Sequence, residues 1–274
     1  MKKFILILCI SFCLIGCSRE QTIIGTYQGN GFYFTMENGD LYEYSGALTK
    51  VEGGIINSVN RTNAQSLQTS TQTAVSVMSS SGKIIFRHEP NQFIEASVIN
   101  SELTKVTFVN VSGQLYEYNR NTNITKDMGV TIYPVPKQMV LVLDETNRVV
   151  FYHDKTNVYS LDLQTLERTL LTKIMVPIQS IAYNPKTSDV YFSTSTDGKI
   201  YKVNQHVSYA QLVHEPISAR GATVAVDSMG DFLYFSKSNG QDIQIKSINL
   251  STKEIDSVVT LYKLNYINNL ISKD

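Results

Sequence analysis

Residues 224–236, VAVDSMGDFLYFS, hold the pattern that decides the fold of this chain. An apolar strand ends at Asp227, a polar turn follows, and a second strand ends in aromatic side chains at Tyr234 and Phe235. A strand with alternating side chains and a fourth strand complete the unit at Val259. This alternation, broken by residues that tolerate tight turns, predicts one antiparallel sheet of four strands.

The same unit recurs upstream of this segment. Two copies run over 140–171 and 180–213. Their equivalents of Phe235 are Phe151 and Phe192, and the three phenylalanines are 41 and 43 residues apart. A four-stranded repeat of about 40 to 45 residues has the size of a propeller blade. No stretch has a sustained helical period, so an all-β fold is expected.

Two further copies, around Phe34 and Phe108, are more diverged, and the 74 residues between them leave space for another. In that space Ile84–Glu89 aligns with either the second or the third strand of a unit. Either alignment leaves the unit short of a strand or makes the polar run Asn57–Thr73 an insertion. The register of this second unit, over 55–103, therefore stays open.

Six units of about 42 residues fill the chain from about Gln21 to its end. We therefore predict that 21–274 form one domain, a six-bladed β-propeller of four-stranded antiparallel blades. Radial packing of such sheets buries their faces and leaves only short edges exposed.

The segment 224–236, repeated at Ser180–Ser193, resembles the blade signature of the six-bladed propellers that include the YWTD, NHL and gluconolactonase-like families. Three blades resemble the signature closely and three loosely. Those families bind proteins, glycans or RNA, or hydrolyse lactones and esters at a calcium ion in the central channel. The resemblance implies the fold and does not choose among these functions.

The N-terminal residues, MKKFILILCISFCLIGC, have two lysines and a short apolar run, as secretory signals do. The run Leu14-Ile15-Gly16-Cys17 resembles the lipobox of bacterial lipoproteins. The resemblance implies that 1–16 are a signal peptide and that Cys17 receives a diacylglycerol and an N-acyl lipid such as palmitate. Residues 17–20 would then be a lipidated tether. Ordinary signal cleavage and an uncleaved anchor are the alternatives.

This resemblance predicts a membrane-anchored lipoprotein of the cell envelope. Ser18 after the cysteine implies, in a cell with two membranes, the outer membrane, with the domain facing the periplasm or the cell surface. Removal of 1–16 lowers Lys plus Arg from 24 to 22 against 24 acidic residues, so the mature net charge is about −2. With no basic block, nucleic acid is not an expected partner.

All three cysteines, Cys9, Cys13 and Cys17, lie at or before the predicted cleavage site, so no disulfide can stabilise the exported domain. Its stability must come from its core, which is feasible for 258 residues. We expect a monomeric domain whose partners are the membrane, through the lipid, and an envelope protein or glycan.

Catalytic and metal-binding motifs are weak. Asp144, Asn184 and Asp227 end successive first strands and are candidate calcium ligands, but a residue repeated in each blade is better explained as a turn cap. The histidines have no paired metal-ligand spacing. We therefore expect no catalytic residue, no metal and no cofactor other than the lipid on Cys17.

The remaining candidate site is the mouth of the central channel. Loops that enter innermost strands and hairpins between second and third strands should open onto the same end. The loops that enter the innermost strands place four residues at a predicted ligand-binding mouth: Lys137, Gln138, Gln179 and Arg220. Tyr152, Thr194 and Ser195 lie near or in the hairpins between second and third strands. The favoured function is a binding or scaffolding module for a protein, peptide or glycan. The alternative is a calcium-dependent lactonase or esterase with its site in the channel.

Overall fold

The computed structural model describes residues 23–24, 31–36, 40–52, 56–63, 66–79, 83–132, 139–216, 221–262 and 266–272. The described residues form six antiparallel sheets and contain no helix, as the repeat predicts. The innermost strands of neighbouring sheets contact each other all the way round, which closes a six-bladed ring.

Strands are numbered along the chain. The short strand β1 (Ile23–Ile24) precedes the blades. Blade 1 contains β2 (Phe32–Met36), β3 (Leu41–Tyr44) and β4 (Leu48–Glu52), and blade 2 contains β5 (Ile56–Asn63), β6 (Ser66–Thr71), β7 (Val75–Ser79) and β8 (Ile84–His88). Blade 3 contains β9 (Ile94–Ile99), β10 (Lys105–Asn110), β11 (Gln114–Asn119) and β12 (Ile124–Thr131).

The remaining strands follow the same order from the channel outward. Blade 4 contains β13 (Val142–Asp144), β14 (Val149–His153), β15 (Asn157–Asp162) and β16 (Arg168–Lys173), and blade 5 contains β17 (Ile178–Tyr183), β18 (Val190–Thr194), β19 (Ile200–Asn204) and β20 (Val207–His214). Blade 6 contains β21 (Val224–Val226), β22 (Phe232–Ser238), β23 (Ile243–Asn249) and β24 (Ile255–Leu261), and β25 (Ile267–Ser272) is the last strand.

Both ends of the described chain are paired into the ring. Strand β25 is the innermost strand of blade 1 and pairs with β2, with Leu270 opposite Phe34. The Asn268 side-chain amide also donates to the Met36 carbonyl at 2.9 Å. Strand β1 adds to the outer edge of blade 6, next to β24. The last described strand thus completes the first blade, which closes the ring.

One buried phenylalanine marks the second strand of five blades. These residues are Phe34, Phe108, Phe151, Phe192 and Phe235, and each is fully buried or nearly so. In blades 1, 3 and 5 this ring stacks on a tyrosine directly opposite on the third strand, as in the pair Phe108 and Tyr116 with centroids 5.3 Å apart. Such cross-strand aromatic pairs stabilise a sheet and fill the space between blades.

Blade 2 corrects the sequence-based alignment. Ile84–His88 is neither the second nor the third strand but β8, the outermost. The polar run Asn57–Thr73 is not an insertion, because it contributes the two innermost strands, β5 and β6. In β6 the buried Gln68 donates to Ser97 Oγ at 2.6 Å and accepts from the Ile99 N–H at 2.9 Å. Paired polar side chains therefore hold blade 2 to blade 3 through hydrogen bonds.

The ring has two distinct ends. At the upper end lie the loops between blades and the hairpins between second and third strands, as predicted: Ser195 N–H donates to the Pro177 carbonyl at 2.9 Å. At the lower end lie the hairpins between first and second strands and those between third and fourth strands. There the Leu250 N–H donates to the Asp231 carbonyl at 2.8 Å.

Candidate functional site

A cavity of about 660 Å³ opens at the lower end of the central channel. Its walls are residues of the innermost strands, including Val98, Ile181, Val224 and Leu270. Its rim is formed by the first hairpins of blades 4, 5 and 6. This volume lies within the range of small-molecule and side-chain binding pockets.

The rim hairpins are shaped by the three residues at the ends of their first strands. Asp144 Oδ1 accepts the Asn147 N–H at 3.1 Å, and Asn184 Oδ1 accepts the Lys186 N–H at 2.9 Å. Asp227 Oδ1 accepts the N–H groups of Asp231 and Phe232 at 2.8 and 2.9 Å. The predicted turn-capping role of Asp144, Asn184 and Asp227 is confirmed.

Hydrogen bonds between blades hold the rim together. The Tyr183 hydroxyl donates to Asp144 Oδ2 at 2.7 Å, which joins blade 5 to blade 4. Burial, together with this bond to a carboxylate, raises the pKa of Tyr183 to about 12, so the hydroxyl stays a neutral donor. Glu145 accepts from the Ser101 N–H and hydroxyl at 3.0 and 2.8 Å, which joins blade 4 to blade 3.

The pocket is acidic. Its described lining contains the carboxylates of Asp144, Glu145 and Asp227 and no lysine or arginine. Among the described residues, none of these three carboxylates forms an ion pair. The nearby cations are engaged elsewhere, since Arg148 pairs with Glu117 and Lys186 with Asp231. Negative charge in a concave site with apolar walls attracts a cationic group.

A smaller cavity of about 240 Å³ continues from the rim into the groove between blades 3 and 4. It shares Leu143 and Glu145 with the channel pocket and is also lined by Lys105, Glu117 and Arg148. The two cavities therefore adjoin each other at Leu143 and Glu145.

The predicted channel mouth lies at the opposite, upper end. Of its four residues only Gln179 is described, and it is half-buried at the start of β17. Lys137, Gln138 and Arg220 lie outside the described residues, as does Cys17, so these predictions stay open. Two of the neighbouring residues require a correction.

Tyr152 and Thr194 are buried and are not part of an exposed mouth. Tyr152 stacks on Tyr159, with centroids 5.2 Å apart, in the core between blades 3 and 4. Thr194 donates to Asp197 within its own hairpin. Both side chains therefore serve the packing of their own blades.

The histidines do not converge. His153 is fully buried, and burial lowers its pKa to about 4, against the opposing attraction of Asp154. His88 stacks on Tyr118 at 3.7 Å, and burial lowers its pKa as well. Within the described ranges, no three histidine, cysteine or acidic side chains are grouped as a metal site would require. In the same residues, no helix is long and apolar enough to cross a bilayer.

Comparisons with known proteins identify the fold. The chain is similar to a chain in a crystal structure of a nidogen/laminin complex, with a TM-score of 0.68 and 8% sequence identity. The similarity covers 88% of this chain and 97% of that chain. It supports the predicted six-bladed propeller at the level of the fold.

No protein-family model matches the chain, and no curated protein sequence matches it significantly. Among solved structures, 1616 chains match its fold. Because many unrelated functions share this fold, the fold does not determine the function, which has to be argued from the pocket.

The sequence contained a signal for the pocket's location that its interpretation missed. Asp144, Asn184 and Asp227 were recognised as equivalent, and equivalent residues in successive blades lie around the same end of the channel. Glu145 and Tyr183 are their direct sequence neighbours. The caps therefore marked the lower rim, but only the cavity in the folded ring shows that this end is open.

Proposed function

We propose that this protein is a lipoprotein of the bacterial cell envelope whose propeller is a binding module, anchored by a lipid on Cys17. The lipobox-like run Leu14-Ile15-Gly16-Cys17 supports the anchor. Two or more acyl chains hold a protein stably at a membrane, whereas a single chain gives only marginal binding. The propeller fold and its channel pocket support the binding role.

The ligand that fits the pocket best is a lysine or arginine side chain of a partner protein or peptide. The observation that carries this proposal is the set of three carboxylates, Asp144, Glu145 and Asp227, without a basic partner among the described residues. The aliphatic walls suit the methylene stem of such a side chain. A neutral glycan would leave this charge uncompensated, so a basic polypeptide is favoured over a glycan.

The hydrolase alternative receives less support. The oxygen atoms that a calcium ion would need from Asp144 and Asn184 already accept hydrogen bonds from Asn147, Tyr183 and Lys186. A calcium ion coordinated directly by these oxygens would have to displace the donors that shape the rim, whereas a lysine or arginine side chain can approach the carboxylates without displacing them. Calcium-dependent turnover of a lactone by the purified protein would favour this alternative.

The binding proposal is tested by selecting peptides from a random display library on the immobilised protein. We expect the selected peptides to carry lysine or arginine. In a fluorescence anisotropy titration, the variant Asp144→Asn, Glu145→Gln, Asp227→Asn should bind a selected peptide roughly tenfold or more weakly. These amides keep an acceptor oxygen for the caps while removing the charge.

A charge-matched control lies at the upper end of the ring. The variant Asp197→Asn, Glu215→Gln, Asp242→Asn removes three acids there and should leave the affinity unchanged. Peptides without basic residues, or equal losses in both variants, would refute the proposed pocket. Melting curves of both variants establish that each one is folded.

A further inference from the structure

Strand β1 fixes where the N-terminal segment leaves the ring. Ile23 pairs with Leu261, and β1 runs antiparallel to β24 on the outer edge of blade 6. Because β24 follows a hairpin of the lower end, it begins there and finishes at the upper end, at Leu261. The described chain therefore enters β1 at the upper end of blade 6, at Ile23.

The distance that this segment can span is short. Six residue steps separate Cys17 from Ile23, and a fully extended chain of that length reaches about 20 Å. Strand β24 has seven residues and is itself about 23 Å long. A lipid on Cys17 can therefore hold the upper end or the side of blade 6 at a bilayer, whereas a tether that turned back towards the lower end would have to be fully extended and would still end just short of it.

The positions of the exposed apolar side chains indicate which of these two arrangements is favoured. Three occupy loops of the upper end: Phe93 (60% exposed), Val111 (51%) and Met175 (91%). They come from the loops between blades 2 and 3 and between blades 4 and 5 and from a hairpin of blade 3, so they are spread around the end. The Val111 N–H donates to the Phe93 carbonyl at 3.1 Å, which places these two residues side by side.

The other exposed large apolar residues lie elsewhere in the described structure. Met229 (69% exposed) is at the lower end. The remainder are on the fourth strands of the blades: Ile84, Ile85, Ile124, Leu170, Tyr209, Leu212 and Ile255. Three of these strands begin with such a residue, next to a hairpin of the lower end: Ile84, Ile124 and Ile255. The upper end is thus the end that combines the tether with several protruding apolar loop residues.

We propose that the upper end of the propeller lies against the lipid bilayer, with Phe93, Val111 and Met175 in the head-group region. The acidic pocket at the lower end then points away from the membrane, towards a partner. This inference rests on the lipidation of Cys17 proposed above. Apolar side chains that enter a bilayer interface add to the affinity that a lipid anchor supplies.

The chain contains no tryptophan, so any introduced tryptophan is a unique fluorescent reporter. We would prepare Phe93→Trp, Val111→Trp and Met175→Trp in the full-length protein, with Met229→Trp as the control at the lower end. Each protein is purified from membranes and reconstituted in vesicles of phosphatidylethanolamine and phosphatidylglycerol. Some vesicles carry a lipid with a nitroxide quencher near the head-group end of an acyl chain.

The upper-end reporters should lose about half of their emission to the quencher lipid, as expected for side chains within the outer 5–10 Å of a bilayer. Met229→Trp should lose almost none and remain accessible to iodide in the aqueous phase. Quenching of Met229→Trp, or no quenching at any of the four positions, overturns the orientation. These substitutions lie in exposed loops, and an unchanged melting temperature establishes that each variant is folded.

Failure of the orientation is distinguishable from failure of the anchor. On phase separation in Triton X-114, a lipidated protein enters the detergent phase whatever its orientation. Recovery in the detergent phase without the predicted quenching pattern refutes the orientation alone. Recovery in the aqueous phase refutes the anchor and, with it, the orientation.

Discussion

The Tyr183 hydroxyl donates a 2.7 Å hydrogen bond to Oδ2 of Asp144, across the boundary between blades 5 and 4. Both residues line the channel pocket. Asp144 also caps its own hairpin through Asn147. The rim of the pocket is therefore shaped by hydrogen bonds that also hold the ring together, so stability measurements report on the geometry of the site.

Removing the hydroxyl in Tyr183→Phe should lower the free energy of unfolding by about 1–2 kcal/mol, because a carboxylate loses a donor. For a chain of this size the melting temperature should fall by roughly 2–6 °C. Thermal unfolding followed by circular dichroism measures the change. Tyr209→Phe, on the exposed outer strand β20, is the control and should melt like the wild type. An unchanged melting temperature for Tyr183→Phe would contradict the role of this bond.

Gly230 lies directly against the side chain of Asn184 in the rim. It has a φ of +70°, and a Cβ atom there would lie 2.2 Å from Asn184 Oδ1. Gly230→Ala should cost about 3–5 kcal/mol of unfolding free energy, since it adds backbone strain and displaces the Asn184 cap.

Gly240 provides the matched control, since it has a φ of +92° and a Cβ atom there would meet nothing within 4 Å. Gly240→Ala should cost only about 1–2 kcal/mol from the backbone conformation. Urea titration of both variants separates strain from crowding. Equal losses would mean that Asn184 does not pack against Gly230.

The hydrogen bonds of Gln68 give a test of blade 2. Gln68→Leu keeps the size of the side chain but leaves the buried Ile99 N–H without its acceptor. We expect a loss of about 2–4 kcal/mol in the free energy of unfolding. Gln164→Leu, in an exposed turn of blade 4, should change it by less than about 0.5 kcal/mol. A similar small effect at Gln68 would argue against β6 as a buried inner strand.

Blade 2 also shows why part of the fold was predictable and part was not. Five blades carry a buried phenylalanine in the second strand, and these were aligned correctly from the sequence. At the same place β6 has polar residues that are buried because Ser97 and Ile99 of blade 3 pair with Gln68. Such pairing depends on two blades together, so the local sequence pattern of β6 does not reveal it.

The position of the strand that closes the ring, β25, could not be predicted from the sequence for the same reason. Residues 267–272 pair with 32–36, far away in the sequence, so their role depends on the circumference of the ring rather than on their own composition. The candidate pocket follows this rule too. The caps at Asp144, Asn184 and Asp227 were predicted correctly, whereas the open end of the channel depends on how the innermost strands of different blades diverge.

His153 predicts a pH dependence of stability. Its pKa is about 4 in the folded protein and about 6.5 in an unfolded chain. Because the unfolded state binds the proton more readily, this stabilisation is complete above pH 6.5 and is lost as the pH falls towards 4. The total loss is about 3 kcal/mol.

Urea titrations at pH 7 and pH 4.5 measure this effect. The variant His153→Leu should lose less stability than the wild type between these two values. His206→Leu, at an exposed turn, should retain the wild-type difference. The pKa of Asp154 is lowered through hydrogen bonds from Asn157 and Tyr159, which outweigh its burial. Its contribution is lost only as the pH falls below about 3.8, outside this window. Equal pH dependence in wild type and His153→Leu would contradict a buried neutral imidazole.

The most direct test of the proposed anchored module is the chemistry of its first mature residue. Mass spectrometry of the protein purified from membranes should find an N-terminal peptide that begins at Cys17 and carries a diacylglycerol and an acyl chain. Cys17→Ala should abolish this modification and leave the protein out of the Triton X-114 detergent phase. An unmodified Cys17, or a Cys17→Ala protein that still partitions into detergent with unchanged mobility, would contradict the account.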